Sequence, residues 1–439
     1  MLQPCLAEIR PFMVCGQHSI IAGQAPVPGP WFRRDTLKQA TLKAAGARAG
    51  AIPPGGFRFA GIDEYEPRIL ELLDARLTRR ALGAYWPLDK DEVARRLTRM
   101  LEANGLAGCT VANFVRMAGG ASKEQFSFDL THPDGQRKKQ VLRIDPRESI
   151  VETCRYREAE ALLAFEGVVP IAPCQLLDGD GTYMGQPAVI LSFIDGVIKP
   201  PIEQGRAVTG VGITLDDAWR AKLSGEFIDV LARIHAFDWR SADLPHFAVP
   251  TRPLDAALWN VNWWAKIWRE DEIDPYPFLT YAERWMRERL PECTDPVFNH
   301  GDYRFGNYLF DPATAKMTAM LDWELAHIGD FHSDLGWACL ELFGGAPVNG
   351  EVWVSGLMQK DAFIRAYEER TGRTVNRKTL AFYEVLAAFK GAVMNIGTSN
   401  GLAIRQTNHQ DVLQCWITAV GHPLMDQMAR VMRAEEMMA

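Results

Sequence analysis

The chain has 439 residues, of which 47% are hydrophobic and 23% are charged, and its formal net charge at pH 7 is −7. This balance is typical of a globular protein, and the acidic charge argues against a nucleic-acid partner, which usually meets a basic surface. No apolar run approaches the roughly 18 residues that a membrane span needs, so no membrane association is expected. The eight cysteines lack metal-binding spacing, which favours reduced thiols and a cytoplasmic location.

The first 62 residues predict a poorly ordered N-terminal extension, because "APVPGP" and "AIPPGG" interrupt it. Glu8 and Arg10 fall where a signal peptide would need an unbroken apolar segment. The basic, alanine-rich stretch 31–50 leaves an organelle presequence as the alternative. Residues 63–106 then predict a helical lead-in, since apolar residues recur every three or four positions in "YEPRILELLDARL" and "DKDEVARRLTRMLEAN".

Residues 107–195 predict a small α+β lobe. The runs "TVANFVRM", "EQFSFDL" and "KQVLRID" have the composition of strands, and Asp134-Gly135 between the last two is a hairpin signal. An amphipathic helix is expected at about 151–166, followed by the apolar strand "PAVILSFIDG". Residues 196–439 predict a larger, mainly helical lobe. The fold class is therefore α+β with two lobes.

The loop "NHGDYRFGN" contains His300, Asp302 and Asn307 in the pattern His-x-Asp-x-x-x-x-Asn. This spacing is typical of kinase catalytic loops, in which the aspartate accepts the proton of the attacking hydroxyl and the asparagine binds a metal ion. Phosphoryl transfer needs a carboxylate beside the nucleophile and oxygen ligands for Mg²⁺ on the phosphates. Asp302 is thus the candidate catalytic base and Asn307 a candidate metal ligand. An ordinary polar turn is the alternative.

Two further carboxylates follow the apolar run "MTAML". Asp322 should lie at the end of a strand, and the turn "DPATAK" should bring it beside Asn307. An amide oxygen and a carboxylate at neighbouring strand ends make a site suited to Mg²⁺. Glu324, two residues later, could add a second carboxylate. The alternative is a pair of turn or capping carboxylates, but the order and spacing favour the metal site.

"HGDYRFGN" and "LDWELAHIGDFHSDLGW" together resemble the aminoglycoside phosphotransferase and choline kinase superfamily. Within it, the chain more closely resembles phosphotransferases related to the kinase-like domain that is fused to some acyl-CoA dehydrogenases. The resemblance covers about residues 105–430. It implies a protein-kinase-like bilobed fold, with a small β-rich N-lobe and a larger, mainly helical C-lobe. The paired motifs are specific for the superfamily but not for a substrate.

The resemblance implies a phosphate-binding loop and a cation on the third strand. "AGGASKEQFSF" supplies the loop, in which Gly119 and Gly120 allow close backbone approach and Ser122 can donate to a phosphate; a plain hairpin turn is the alternative. On the third strand, Val141 and Arg143 share one face, because side chains alternate along a strand. Val141 could cover an adenine while Arg143 reaches the phosphates.

The resemblance also implies a carboxylate on the following helix and a hinge between the lobes. Glu158 lies on an apolar stripe of that helix, where a carboxylate is costly unless paired, and Arg143 is its natural partner. Glu160 lies on another face and is expected to be solvated. Backbone groups of Ser192 and Ile194 in the hinge "LSFIDG" would bond the adenine edge.

Arg143 is a departure from the usual lysine, since arginine is larger, planar and always charged. The remaining polar residues of the motifs have mainly structural interpretations. His300 should orient the loop around Asp302, and His235 is expected in the core. Asp334 is interpreted as structural, although a supporting role at the site is the alternative. Arg304 either contacts phosphate or pairs with a surface carboxylate.

These residues predict an ATP- and Mg²⁺-dependent phosphotransferase that acts on a hydroxyl of a small molecule, with GTP as the alternative nucleotide. A hydroxyacyl-CoA or related metabolite is the candidate acceptor by kinship alone. The tryptophan-rich stretch 250–292 could form an aromatic wall for it, although core packing is favoured. A nucleotide-binding pseudokinase and an aminoglycoside-type antibiotic kinase are the alternatives.

Overall fold

A computed structural model describes residues 64–117, 120, 122–200, 215–344 and 353–438 of the protein. The predicted N-terminal extension at residues 1–62 and the loop residue Gly119 lie outside the described residues.

Five antiparallel strands form the sheet of the N-terminal lobe, in the order β1-β2-β3-β5-β4. They are β1 (Thr110–Arg116), β2 (Glu124–Thr131), β3 (Arg137–Ile144), β4 (Cys174–Asp178) and β5 (Ala188–Ser192). The three predicted N-lobe strands and the apolar strand after the helix are confirmed. So is the hairpin between β2 and β3, in which Gly135 has a φ of +86°, a conformation that glycine adopts without strain.

In the described part of the chain before the sheet there are two helices, α1 (Pro67–Arg80) and α2 (Lys90–Ala103). Asp89 caps α2, since its side chain accepts a hydrogen bond from the amide of Asp91. Val93 and Leu97 of α2 share a buried cluster with Phe126 of β2. The helix therefore covers one face of the sheet, and side chains on the opposite face are available to the rest of the molecule.

The helix that follows β3 is α3 (Arg155–Phe165), and it differs from the predicted amphipathic helix. It is buried on nearly all sides, because it lies between the sheet and the helical lobe. The expectation that Glu160 is solvated is wrong: its carboxylate is 2% exposed and accepts hydrogen bonds from the backbone amide and the ring of His246. The periodicity of the helix alone does not show that the helical lobe covers its second face.

The C-terminal lobe is mainly helical. Its helices are α4 (Asp217–Ala236), α5 (Asp255–Asp271), α6 (Pro277–Arg287), α7 (His332–Ala338), α8 (Glu341–Gly344), α9 (Lys360–Thr371), α10 (Arg377–Ala392), α11 (Asn400–Arg405), α12 (Asp411–Thr418) and α13 (Gly421–Met438). Short strands pair as β6 (Val297–Asn299) with β9 (His327–Gly329), β7 (Tyr308–Phe310) with β8 (Met317–Met320), and β10 (Trp353–Val354) with β11 (Met358–Gln359).

The tryptophan-rich stretch belongs to the core of this lobe. Its buried members share one cluster with residues of α10 and α13; they are Trp263, Trp264, Trp268 and Trp285. Helix α10 continues through the π-helix Val393–Ser399 into α11. By length and composition the stretch Arg377–Arg405 could cross a membrane, but its apolar window is entirely buried inside the protein. Core packing therefore accounts for its hydrophobicity.

A network of buried and partly buried charges, here called the interlobe brace, joins the lead-in helix α1 to both lobes. Its members are Arg76, Arg80, Glu148, Asp271 and Arg405. Arg80 contacts Glu148 of the N-lobe at 2.7 Å and Asp271 of the C-lobe at 2.6 Å. Arg76 also pairs with Asp271, and Arg405 lies 3.3 Å from Glu148. Burial opposes the charges of Glu148 and Asp271, but the arginines keep the pKa of each below its usual value.

Candidate active site

Strand β6 ends at Asn299 and is followed by residues 300–307, which we call the catalytic loop because of the role predicted for it. The boundary between the two lobes is called the cleft. Asp334, at 0% exposure, fixes this loop from the protein interior. Its carboxylate accepts hydrogen bonds of 2.7 Å from the amides of His300 and Gly301. His235 Nε2 lies 3.2 Å from the same carboxylate. Asp334 is therefore structural, and His235 is a core histidine. Neither touches the open side of the loop.

His300 orients the loop. Its Nε2 donates to the carbonyl of Leu321 at 2.9 Å, and its Nδ1 accepts from the amide of Asp302 at 3.2 Å. Burial lowers the pKa of His300, which agrees with a neutral ring. Gly301 between them has a φ of +83°, and a Cβ there would lie 2.2 Å from the carbonyl oxygen of Leu325, so only glycine fits.

The carboxylate of Asp302 is held by three side chains and remains 16% exposed. Its Oδ1 accepts from Trp337 Nε1 at 2.6 Å and from Arg304 Nε at 2.9 Å. Its Oδ2 accepts from Asn307 Nδ2 at 2.7 Å. A carboxylate oxygen can accept about two hydrogen bonds, so Oδ2 keeps a place for an incoming hydroxyl. The partner of Arg304 is Asp302 itself rather than a surface carboxylate.

A buried lysine lies behind this carboxylate. The ammonium of Lys390 donates to the carbonyl of Gly301 at 2.9 Å and lies 4.1 Å from the ring centre of Trp337. Burial lowers the pKa of Lys390 to about 8, against the opposing effect of Asp302 and Asp334.

The β7–β8 hairpin brings Asn307 and Asp322 together, as predicted. The amide of Leu321 donates to the carbonyl of Asn307 at 2.8 Å, which places Asp322 one residue further on. Asp322 has a φ of +59°, a left-handed conformation that aspartate tolerates better than most residues, and its side chain is 37% exposed. The amide nitrogen of Asn307 faces Asp302, so its oxygen is the atom left for a cation.

These oxygen atoms fit Mg²⁺, which prefers carboxylate, carbonyl and phosphate ligands. Within the described residues, no group of three or more His, Cys, Asp or Glu side chains is assembled as a complete metal site. Asn307 and Asp322 would hold the ion together with phosphate oxygens and water. When bound, the ion would neutralise phosphate charge.

Glu324 has a different environment from the one predicted for a metal ligand. Its Oε1 accepts from Ser122 Oγ at 3.2 Å, and its Oε2 accepts from Thr153 Oγ1 at 3.5 Å and lies 3.6 Å from Lys123 Nζ. Burial raises the pKa of Glu324, although the nearby cations oppose this. Both oxygens thus have protein partners, and metal binding by Glu324 stays a prediction.

Arg143 makes the contact with Glu158 that was predicted for the cation on the third strand, and also a contact with Asp322 that was not predicted. Its Nη1 donates to Glu158 at 2.8 Å and its Nη2 donates to Asp322 at 2.9 Å. Burial opposes its charge, but Glu158 and Asp322 raise the pKa of Arg143 above its usual value. One guanidinium therefore ties helix α3 to the candidate metal ligand, a geometry that its fork of donors permits.

Two further cations at this site were not identified from the sequence, Arg155 and Lys123. Arg155 donates to Asp145 at 2.8 Å and also pairs with Glu158, three residues later on the same helix. That spacing could have indicated the pair. Lys123 follows Ser122 directly, but nothing in the sequence indicates that its ammonium turns inward. We call the whole set the ion cluster: Lys123, Arg143, Arg155, Asp145, Glu158, Asp322 and Glu324.

The phosphate loop and the hinge are described in part. Gly120 has a φ of +82°, which suits the predicted close approach, and its carbonyl accepts from Gln410 Nε2 at 2.9 Å. Val141 is half-buried and pairs with Leu191 of β5.

In the hinge, the amide of Ser192 already donates to the carbonyl of Pro173 at 2.9 Å. This bond means that the amide of Ser192 is not available to an adenine. The predicted contacts of Ser192 and Ile194 with the adenine edge stay predictions.

Comparison with known proteins places this chain in a family. The model of the phosphotransferase enzyme family (APH) matches residues 113–378, which include most of the sheet, the ion cluster and the catalytic loop. The chain belongs to the phosphotransferase enzyme family. The fold agrees: a candidate aminoglycoside phosphotransferase from Ralstonia eutropha superposes with a TM-score of 0.58 at 20% identity, covering 78% of this chain and 98% of that one.

Two curated relatives of this phosphotransferase are much longer than this chain. Acyl-CoA dehydrogenase family member 10 of Mus musculus is 28% identical over 208 residues, which is 46% of this chain and 18% of the relative. Acyl-CoA dehydrogenase family member 11 of Gallus gallus is 26% identical over 308 residues, which is 66% of this chain and 37% of the relative. The chain thus spans well under half of these relatives.

Proposed function

We propose that this phosphotransferase is an ATP- and Mg²⁺-dependent kinase that phosphorylates a hydroxyl group of a small molecule in the cytoplasm. The observation that carries the proposal is the carboxylate of Asp302, which keeps one acceptor position beside the candidate metal ligands Asn307 and Asp322. Family membership supplies the reaction class, and the nucleotide and the acceptor are our inference.

In the proposed reaction, the acceptor hydroxyl donates to Asp302 Oδ2, and this carboxylate takes its proton as the oxygen bonds to the γ-phosphorus. The bond from the γ-phosphorus to the β–γ bridging oxygen breaks, and ADP leaves. Asn307 and Trp337 hold the carboxylate in position. Arg143 orients Asp322 through their 2.9 Å contact. The protein contributes placement and charge rather than covalent chemistry.

For the acceptor, we propose a hydroxyacyl-CoA or a related acyl metabolite. The support is the similarity to proteins named acyl-CoA dehydrogenase family members 10 and 11. An aminoglycoside is the other candidate, because the chain is 32% identical over 100 residues to an aminoglycoside 3'-phosphotransferase of Streptomyces fradiae. The cations Arg304 and Lys390 beside Asp302 disfavour a polycationic acceptor.

The test is a phosphorylation assay with γ-labelled ATP, Mg²⁺ and a pool of hydroxyacyl-CoAs, free hydroxy acids and aminoglycosides, with products identified by mass spectrometry. We expect a phosphorylated product with the unmodified protein and none with Asp302→Asn. Asp311→Asn, at a turn of the β7–β8 hairpin, is the control. If Mg·ATP binds and no acceptor in the pool reacts, a pseudokinase becomes the better interpretation. Failure to bind nucleotide would refute the kinase.

A further inference from the structure

Lys123 is a buried cation that has no role in the reaction proposed above. It lies between the phosphate loop and β2, and it is 1% exposed. A lysine ammonium so deeply buried is costly unless it is paired and hydrogen-bonded. Lys123 Nζ donates to Ser149 Oγ at 2.9 Å and to Thr153 Oγ1 at 3.3 Å. Both hydroxyls belong to the connection between β3 and α3.

Two carboxylates complete the shell of this ammonium. Lys123 Nζ lies 3.3 Å from Asp145 Oδ1 and 3.6 Å from Glu324 Oε2. Asp145 is shared with Arg155, whose hydrogen bond to it is shorter. Glu324 belongs to the C-lobe, beside Asp322. Of the four partners of Lys123, Glu324 is therefore the one that comes from across the cleft, and it is held at the longest distance.

Glu324 is covered from the N-lobe by two consecutive residues of the chain. Ser122 Oγ contacts one oxygen, and Lys123 Nζ lies next to the other. The phosphate loop is thus attached, through Glu324, to the segment that carries the candidate metal ligand Asp322. Because each oxygen of Glu324 already has an N-lobe partner, a metal ion would have to compete with Ser122 and Lys123 for this carboxylate.

The charges of the ion cluster show why this contact should change when a nucleotide binds. Three cations face four carboxylates, and Arg143 and Arg155 are each committed to two carboxylates at hydrogen-bonding distance. Lys123 is the cation with a long, weak ion pair toward the cleft. Lysine is also a compact charge on a flexible stem, which can move from one oxygen to another.

We propose that Lys123 is a nucleotide-binding residue, whose ammonium leaves Glu324 for a phosphate oxygen of bound ATP and thereby frees Glu324 for the metal ion. This rests on the proposed kinase function. Lys123 and Arg143 then share the task that a single lysine on the third strand usually has, and the predicted metal role of Glu324 applies to the nucleotide-bound protein alone.

The experiment measures the dissociation constant of ATP by calorimetry on the full chain, with Mg²⁺ and with EDTA. We expect Lys123→Met to weaken Mg·ATP binding by about ten-fold or more, because a charge-assisted contact is lost, and Lys123→Arg to weaken it less. Lys266→Met is the matched control, since Lys266 also pairs with two carboxylates but lies on α5, and it should bind as the unmodified protein does.

Glu324→Gln separates the proposed exchange from a purely structural role. Without the Glu324 charge, Lys123 is released, so metal-free ATP should bind several-fold more tightly, and adding Lys123→Met should cancel this gain. This arm keeps the test decisive if Lys123→Met does not fold. Unchanged metal-free affinity in Glu324→Gln, or a folded Lys123→Met with normal Mg·ATP affinity, would overturn the role of Lys123 alone. An unmodified protein that binds no Mg·ATP would overturn the kinase proposal as well.

Discussion

The ion cluster and the catalytic loop meet where Asp322 lies beside Asn307, but they are held by different forces. The ion cluster consists of mostly buried charges, and two of its ion pairs, Arg143 with Asp322 and Lys123 with Glu324, join the lobes. The catalytic loop is held mainly by hydrogen bonds: its amides donate to Asp334, and Trp337 and Asn307 donate to Asp302, which also pairs with Arg304. Charges can exchange partners when an ion or a phosphate arrives, whereas a hydrogen-bonded loop keeps one geometry. We therefore expect the side proposed to bind the nucleotide to be adaptable and the side proposed to bind the acceptor to be pre-formed.

The largest effect should follow from loosening the pre-formed side at Asp334. In Asp334→Asn, one acceptor oxygen is lost, and the amide of His300 or Gly301 is left unpaired in the interior. We expect a loss of about 3–5 kcal/mol in the free energy of unfolding, measured by urea denaturation. Asp361→Asn, in an exposed pair with Arg377, should cost less than about 0.5 kcal/mol. Equal losses in the two variants would contradict the buried role of Asp334.

On the adaptable side, Arg143→Met should be the most harmful single change. It leaves Asp322 without its cation and Glu158 with Arg155 alone. We expect turnover to fall by about a hundred-fold, in line with the loss of one preorganised charge, in the ATP-dependent assay. Arg137→Met, on the same strand but in an exposed pair, serves as control. A near-normal rate in Arg143→Met would mean that Lys123 suffices.

A smaller effect is expected from Trp337→Phe, which removes the indole N–H and keeps an aromatic ring. Asp302 Oδ1 would lose its 2.6 Å hydrogen bond but keep Arg304. We expect turnover to fall by about ten-fold with Mg·ATP affinity unchanged. The matched control is Trp285→Phe, because the Nε1 of Trp285 has no partner among the described residues. Similar rates in the two variants would show that the indole N–H does not position Asp302.

The smallest effect concerns pH and Lys390. Its pKa is about 8 in the folded protein and about 10.5 when unfolded. Above pH 8 the unfolded chain binds more protons, so the stability contributed by this site rises with pH. Between about pH 7.5 and 9, the unmodified protein should gain about 1 kcal/mol over Lys390→Met in urea unfolding.

Lys266→Met provides the contrast for this measurement. Burial opposes the charge of Lys266, but Glu270 raises its pKa above the usual value, so it stays protonated across the same pH interval. The difference between the unmodified protein and this variant should therefore be flat. A flat difference for Lys390→Met as well would show that Lys390 does not lose its proton near pH 8.

The contacts that could be predicted best from the sequence are those between residues close together in the chain or on the same face of a strand. Asp302 and Asn307 lie in one loop, and a single hairpin brings Asn307 to Asp322. The pair of Arg143 and Glu158 follows from adjacent elements. In physical terms, local chain geometry nearly fixes these distances.

The contacts that were missed depend on how distant elements pack. Lys390 meets the catalytic loop from α10, and Lys123 meets Glu324 across the cleft. Glu160 was expected in solvent, because the pattern of α3 does not reveal the segment around His246 that covers it. Burial of a charge depends on partners that lie far away in sequence.

The interlobe brace has a consequence for where this protein can be divided. The family match begins at residue 113 and ends at residue 378. A fragment cut at these limits would retain the carboxylates of Glu148 and Asp271 without Arg76, Arg80 or Arg405, and two anions would be stranded in the interior. The segment that matches the family is thus shorter than the segment that must fold together. A fragment that is to fold should therefore include the residues on both sides of the match, up to Arg76 and Arg405.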